Sequence, residues 1–146
     1  MSDFRKLTDR VSASPQITPV DVREAAAKGF TTIVNNRPDG EEPGQPDGAE
    51  IESAAREAGL AYHAIPISGG QFGEEQVRAM QEALSSSGGP VLAFCRSGTR
   101  STLLWSMAQA DAGRDLEEIA AQAAQAGYDV SPIAGMLQQL SARNRG

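Results

Sequence analysis

The segment Cys95-Arg96-Ser97-Gly98-Thr99-Arg100 brings together what a thiol needs to react near neutral pH. The thiolate is the nucleophilic form, and it is stabilised by nearby cations and by the N-terminus of a helix. Ser101 to Ala112 has helical character, so the amides of Arg96, Ser97, Gly98, Thr99, Arg100 and Ser101 are placed to converge on one anion in front of that helix. Gly98 permits a backbone angle that a side chain resists, and Arg100 carries a forked pair of donors able to close over the anion. Arg96 supplies a second guanidinium, and Ser101 a hydroxyl within reach of the sulfur. A small buried core residue is the ordinary fate of a free cysteine. The Arg-Ser-Gly-Thr-Arg-Ser run after Cys95 is what argues for a reactive one.

Other residues carry weaker signals. Arg37, after Asn35-Asn36, has two readings that stay open: it stands beside the cysteine loop and binds an anionic substrate, or it pairs with the acids of its own Glu-rich loop. Asp39 reads as a turn former. His63 falls in a strand pattern, and one histidine makes neither a metal site nor a convincing base. Glu74 and Glu75 favour the positive end of a helix dipole, with a smaller chance that one of them donates a proton. Trp105, set among leucines, reads as core.

The elements that must position these residues follow from local pattern. Thr18-Pro19-Val20-Asp21 is a helix start, with Thr at the N-cap, Pro at the first helical position and Asp at the third; Gly29 should end that helix. Phe30 to Asn35 has the β-branched run of a strand. Asp39 to Gly48 is rich in Pro, Gly and Glu and reads as a surface loop. Ala49 to Ala58 reads as a helix, Leu60 to Ile65 as a strand, Pro66 to Phe72 as a Gly-containing loop or lid, and Glu74 to Leu84 as a helix. Val91 to Phe94 is an unbroken apolar run of the kind buried on both faces of a sheet. Asp115 caps a further helix to Ala126, and Ser131-Pro132 opens the last. Strand and helix alternate through the first two-thirds, which predicts an α/β fold: a mostly parallel central sheet flanked by helices, with extra helices at the C-terminal end. Ligands in such sheets bind where the strands end, which places Cys95, Asn36 and Arg37 on one edge.

Length and composition set the limits. A chain of 146 residues is expected to form one domain, residues 1–146. Its formal net charge of −6, without a basic stripe, argues against nucleic acid as partner while leaving small anions open. The charged first residues and the lack of a long apolar run predict a cytoplasmic protein with no membrane partner. A single cysteine fits a reducing compartment and excludes an internal disulfide.

Phe94-Cys-Arg-Ser-Gly-Thr-Arg-Ser101, with Gly29-Phe-Thr-Thr-Ile-Val-Asn-Asn-Arg-Pro-Asp-Gly40 upstream, resembles a small bacterial family of sulfur-transferase and tyrosine-phosphatase-like proteins, some of them fused to β-lactamase-like persulfide-oxidising hydrolases. The likeness runs from about Ile17 to Ala112. It implies a dual-specificity-phosphatase-like fold, Cys95 as nucleophile and the loop amides as anion site. Two departures matter. Tyrosine phosphatases place five residues between Cys and Arg and a His before the Cys; here four residues separate Cys95 from Arg100, and Phe94 stands in place of His, a length similar to the rhodanese loop. No Asp lies between Asp47 and Asp111, and the loop where a general acid is expected offers only Glu74 or Glu75. The leading expectation is therefore a sulfurtransferase that forms a Cys95 persulfide from thiosulfate or a small persulfide and passes the sulfur to a thiol acceptor. Cys95 and Arg100 would be catalytic, Arg96, Ser97, Gly98, Thr99, Ser101 and Arg37 substrate-binding, and no metal or organic cofactor required. The alternatives are a phosphatase working through a cysteinyl phosphate, and a non-catalytic anion-binding or thiol redox-sensor module.

Overall fold

The computed structural model describes residues 2–145; Met1 and Gly146, the ends of the expected unit, lie outside it. A five-stranded sheet forms the centre. Its strands are β1 (Arg5–Lys6), β2 (Val11–Ser14), β3 (Thr32–Asn35), β4 (Ala61–Ala64) and β5 (Val91–Phe94), in the spatial order β1-β2-β5-β3-β4. Only β1 runs antiparallel; β5 lies between β2 and β3, with Ser14 and Asn35 both opposite Phe94. The helices are α1 (Pro19–Ala27), α2 (Gly48–Glu57), α3 (Glu74–Ser86), α4 (Thr99–Asp111), α5 (Leu116–Gln125) and α6 (Ala134–Arg145), the last preceded by a 3₁₀ turn, Ser131–Ile133.

The period of two along β5 sorts the core. Leu92 and Phe94 join Ile17, Val22, Ile33 and Ile51 in the cluster under α1 and α2. Val91 and Ala93 join Val34, Met80, Leu104, Trp105, Met107 and Ile119 under α3 to α6. Both faces of β5 are covered, which is why its sequence is apolar at every position. Trp105 is 1% exposed, as its core reading requires. Helix α4 is buried along much of its length, including Ser101, Thr102 and Ser106, and the latter two return their hydroxyls to the carbonyls of Gly98 and Thr102.

Local signals set several boundaries. Thr18 caps α1, and a capping box with Asp21 is complete: the Thr18 hydroxyl accepts from the Asp21 amide, and Asp21 accepts from the Thr18 amide at 2.9 Å. Asp115 caps α5 through the Glu118 amide. Helix α4 begins at Thr99, two residues before the expected Ser101, because Gly98 at φ 93° serves as its N-cap. The β1–β2 hairpin was outside the sequence expectation: β1 has two residues, and Ser12 and Ser14 obscure the strand pattern of β2.

Candidate active site

The site lies where four parallel strands end. Backbone hydrogen bonds bind their exits together: Cys95 N–H donates to Ser14 O, Gln16 N–H to Arg96 O, Asn36 N–H to Phe94 O, and Ile67 N–H to Asn36 O. Residues following β2, β3, β4 and β5 are thereby held around Cys95. Asn36 is fully buried and its side-chain amide donates to Ile65 O at 2.9 Å, fastening the β3 exit to the β4 exit.

Within the cysteine loop, the Gly98 amide donates to Cys95 Sγ at 3.1 Å. Gly98 is required twice over. Its φ of 93° disfavours any side chain, and a Cβ built there would come within 2.0 Å of Tyr128 Oη. Tyr128, 8% exposed, donates to Ser97 O at 3.0 Å, so the segment between α5 and α6 props the loop from behind. Burial raises the Tyr128 pKa, keeping that phenol protonated and able to donate. The side chains of Ser97 and Thr99 bond to each other at 2.9 Å, at the exposed rim.

The arginines sit differently from the expectation. Arg100 does direct a fork at an anion, but that anion is Glu41: Nη1 donates to Oε2 at 2.7 Å and Nη2 to Oε1 at 2.9 Å, while Nη1 also donates to Ile67 O at 2.8 Å. Arg37 follows the second of its sequence readings, pairing with the acids of its own loop. Its side chain is 2% exposed beside the site, and it donates to Glu41 at 2.9 Å, to Glu42 at 3.0 Å and to Gln16 at 3.0 Å. Arg96 is exposed and leans toward Glu42 at 3.4 Å. Arg100 and Arg37 hold the Glu41 carboxyl at a pKa of about 2, with the Arg100 hydrogen bond as the largest cause. Glu42 is lowered as well, first by its hydrogen bond from Arg37. Arg100 is raised in turn, chiefly by Glu41, with a smaller contribution from the Cys95 sulfur.

Two side chains depart from their expected contacts. Cys95 has no solvent exposure, so its sulfur is covered rather than lying open at the bottom of a cup. Ser101 is fully buried, and its hydroxyl has no hydrogen-bond partner among the described residues, the sulfur included. Glu74, an acid candidate from the sequence, is tied to Arg143 at 3.0 Å and to Arg78 at 3.9 Å. Asp39 keeps its turn-forming part by accepting from the Gly48 amide at 2.8 Å. His63 is half-buried in β4.

Sequence reasoning set the acids of the Glu-rich loop against Arg37 but not against Arg96 or Arg100, and it passed over Gln16 and Tyr128. Glu41 stands 59 positions from Arg100, in a loop without a periodic signal. The Glu-Glu pair directly after Asp39-Gly40, close to Arg37, was the one local hint.

The comparisons agree with this architecture. Residues 3–112 match the family described as "Beta-lactamase hydrolase-like protein, phosphatase-like domain". The Beta-lactamase hydrolase-like protein of Agrobacterium fabrum is 36% identical over 141 residues, which is 94% of this chain and 32% of that protein. The corresponding protein of Xylella fastidiosa strain 9a5c is 34% identical over 91% of this chain and 31% of its own length. This chain thus spans about a third of these relatives. A crystal structure from Neisseria meningitidis, of a protein proposed to be a phosphatase, superposes with a TM-score of 0.84 at 33% identity, covering 96% of this chain and 99% of that one. Tk-PTP in its active form gives a TM-score of 0.76 at 20% identity, covering 97% of each chain, a level of identity that speaks to the fold alone. The fold is dual-specificity-phosphatase-like, with α5 and α6 lying beyond the family match, and the chain belongs to the family of phosphatase-like domains of beta-lactamase hydrolase-like proteins.

Proposed function

We propose that this chain is a sulfur-transfer enzyme built on a phosphatase fold, with Cys95 as nucleophile. The observation that carries this reading is the state of the carboxylates around the site. Hydrolysis of a phosphoester needs a proton for the departing alkoxide or phenoxide. The two carboxylates that meet the site's arginines, Glu41 and Glu42, are ionised at neutral pH even at the ordinary carboxylate value of 4.5, and the arginines lower both further, so they hold no proton to give. Pro66 to Gly73 contains no acidic residue, Glu74 is paired with Arg143 and Arg78 instead, and Glu75 stands exposed in the first turn of α3. Sulfite and thiolates leave without prior protonation.

In this reading the Arg100–Glu41 bridge parts to admit a donor. The Cys95 thiolate attacks the outer sulfur of thiosulfate or a low-molecular-weight persulfide. A bond forms between Cys95 Sγ and that sulfur as the donor's sulfur–sulfur bond breaks, and the electron pair departs on sulfite or thiolate. An acceptor thiolate then attacks the outer sulfur of the Cys95 persulfide and restores the Cys95 thiolate, a ping-pong cycle. Arg100, Arg37 and Arg96 orient the anion, and the Gly98 amide holds the charged sulfur. The short loop supports the same reading, since a smaller ring of amides suits one sulfur better than a phosphoryl group.

The second reading is a phosphatase that passes through a cysteinyl phosphate. The phosphatase-like name of the family and the phosphatase names of the structural neighbours favour it, and none of the comparisons names sulfur transfer. On likeness alone it stands ahead.

Intact-mass analysis separates the readings. After exposure to thiosulfate or a persulfide, the protein is expected to gain the mass of one sulfur atom at Cys95, and a thiol acceptor to remove it. Cys95→Ser should lower turnover by on the order of 10⁴ or more, the scale seen when a nucleophile is removed. A phosphoryl adduct with brisk aryl phosphate hydrolysis, and no sulfur adduct, would replace the first reading with the second. Sulfate binding without either adduct would leave only an anion-binding or thiol-sensing module.

A further inference from the structure

Three guanidiniums and two carboxylates meet in one network, Arg37, Arg96 and Arg100 against Glu41 and Glu42, and its Arg100 also acts on the Cys95 sulfur. Their charges leave a surplus of one positive charge around a sulfur that reacts as an anion. Glu41 is the pivot, because its two oxygens take the whole Arg100 fork and the Arg37 Nε donor together. An incoming oxyanion that wants the Arg100 fork must displace a carboxylate already seated there. The Glu41 charge remains on the short Pro38–Asp47 loop, which is pinned by Asp39 at Gly48 and by the Gln45 amide at Pro38 O. A displaced Glu41 therefore stays near the incoming charge.

We infer that Glu41 is the specificity-determining residue of this site, favouring singly charged organic sulfur oxyanions, the thiosulfonates, as donors over dianions such as thiosulfate or phosphate monoesters. This rests on the sulfur-transfer reading and narrows its substrate class. A monoanion replaces one carboxylate on Arg100 with no net change of charge at the fork. A dianion brings a second negative charge against Glu41, Glu42 and the Cys95 thiolate, with one surplus positive charge to offset it. For a thiosulfonate the step is balanced as follows: the Cys95 thiolate bonds to the terminal sulfur, the sulfur–sulfonyl bond breaks, and the electron pair leaves on a sulfinate. No oxidant, reductant or proton is consumed.

The test has a binding arm and a transfer arm. In the wild-type protein, methanesulfonate should protect Cys95 from iodoacetamide at concentrations at least tenfold lower than sulfate, although both present tetrahedral oxyanions. Glu41→Gln should tighten sulfate protection at least tenfold and methanesulfonate protection by much less. Glu42→Gln removes the same charge without freeing the Arg100 fork and should shift sulfate by less than threefold. In the transfer arm, wild-type kcat/KM for benzenethiosulfonate should exceed that for thiosulfate at least tenfold, and Glu41→Gln should close most of that gap. Sulfate matching methanesulfonate in the wild-type protein overturns the inference without any variant, so a Glu41→Gln protein that fails to fold leaves it open to refutation. Equal effects of the two Gln variants also overturn it, by reducing the role of Glu41 to bulk charge. If the binding differences appear while no sulfur moves from either donor, the sulfur-transfer reading fails and the selection of anions by Glu41 stands.

Discussion

The loop from Cys95 to Arg100 and the loop from Pro38 to Asp47 meet at Arg100, and they are built on opposite plans. The cysteine loop is a backbone device. It leaves a central strand, turns through Gly98 at positive φ, is propped by Tyr128, and delivers an amide to the sulfur before entering α4. The acidic loop is a side-chain device: it lacks helix and strand, is held by Asp39 and Gln45, and exists to bring two carboxylates onto three arginines. The first brings a backbone amide onto the Cys95 sulfur; the second sets carboxylates on the arginine that closes the loop.

The comparison is broken most severely at the residue both loops share. Arg100→Lys keeps the charge but loses the fork that engages Glu41 and the donor. Transfer should fall by about 10²–10³-fold, the cost of losing a preorganised oxyanion donor, read as kcat/KM with the preferred donor. A smaller effect on rate but a clear one on stability is expected from Gly98→Ala. The methyl group meets Tyr128 Oη and the residue sits at positive φ, so the loop must shift and the Gly98 amide leaves Sγ. Stability should drop by about 1–3 kcal/mol in urea denaturation, and Cys95 alkylation should change with it. Alanine at Gly98 with unchanged stability and unchanged alkylation would mean that the backbone device is not what holds the sulfur.

These effects show what local sequence reveals. Val91 to Phe94 and the Thr18 cap were legible because each signal is complete within a few neighbouring residues: an unbroken apolar run, and an N-cap three positions from its partner. The same holds for Cys95, Gly98 and Arg100 as a group. Glu41 was not legible, because its meaning depends on a partner distant along the chain. The β1–β2 hairpin escaped for a related reason, since its strands gain their identity only by pairing with each other and with β5.

The smallest expected effect sharpens the acidic side of the comparison. The Glu41 pKa falls from the ordinary carboxylate value of 4.5 to about 2 in the folded protein. A depressed folded-state pKa contributes stability above the unfolded value and loses it as pH falls through the folded value. The stability difference between wild type and Glu41→Gln should therefore be constant from pH 5 to 8 and shrink progressively from about pH 4.5 towards pH 2. Because the Glu41 side chain is 28% exposed, the difference itself should be modest, on the order of 1 kcal/mol. A difference that changes between pH 6 and 8 would show that Glu41 titrates where donors bind, and that it is not a fixed charge.

The sequence alone determined the cysteine loop, the glycine that shapes it, the arginine that follows, and the alternation of strands and helices that puts them at a strand end. Those features are written in contiguous residues, where backbone preference and apolar period act directly. Only the tertiary structure decided that Arg100 faces Glu41, that Arg37 is buried against both glutamates, and that Cys95 is closed from solvent. Charge pairing over such separations is set by which strand exits lie side by side, and that order comes from packing two faces of one sheet rather than from any local pattern.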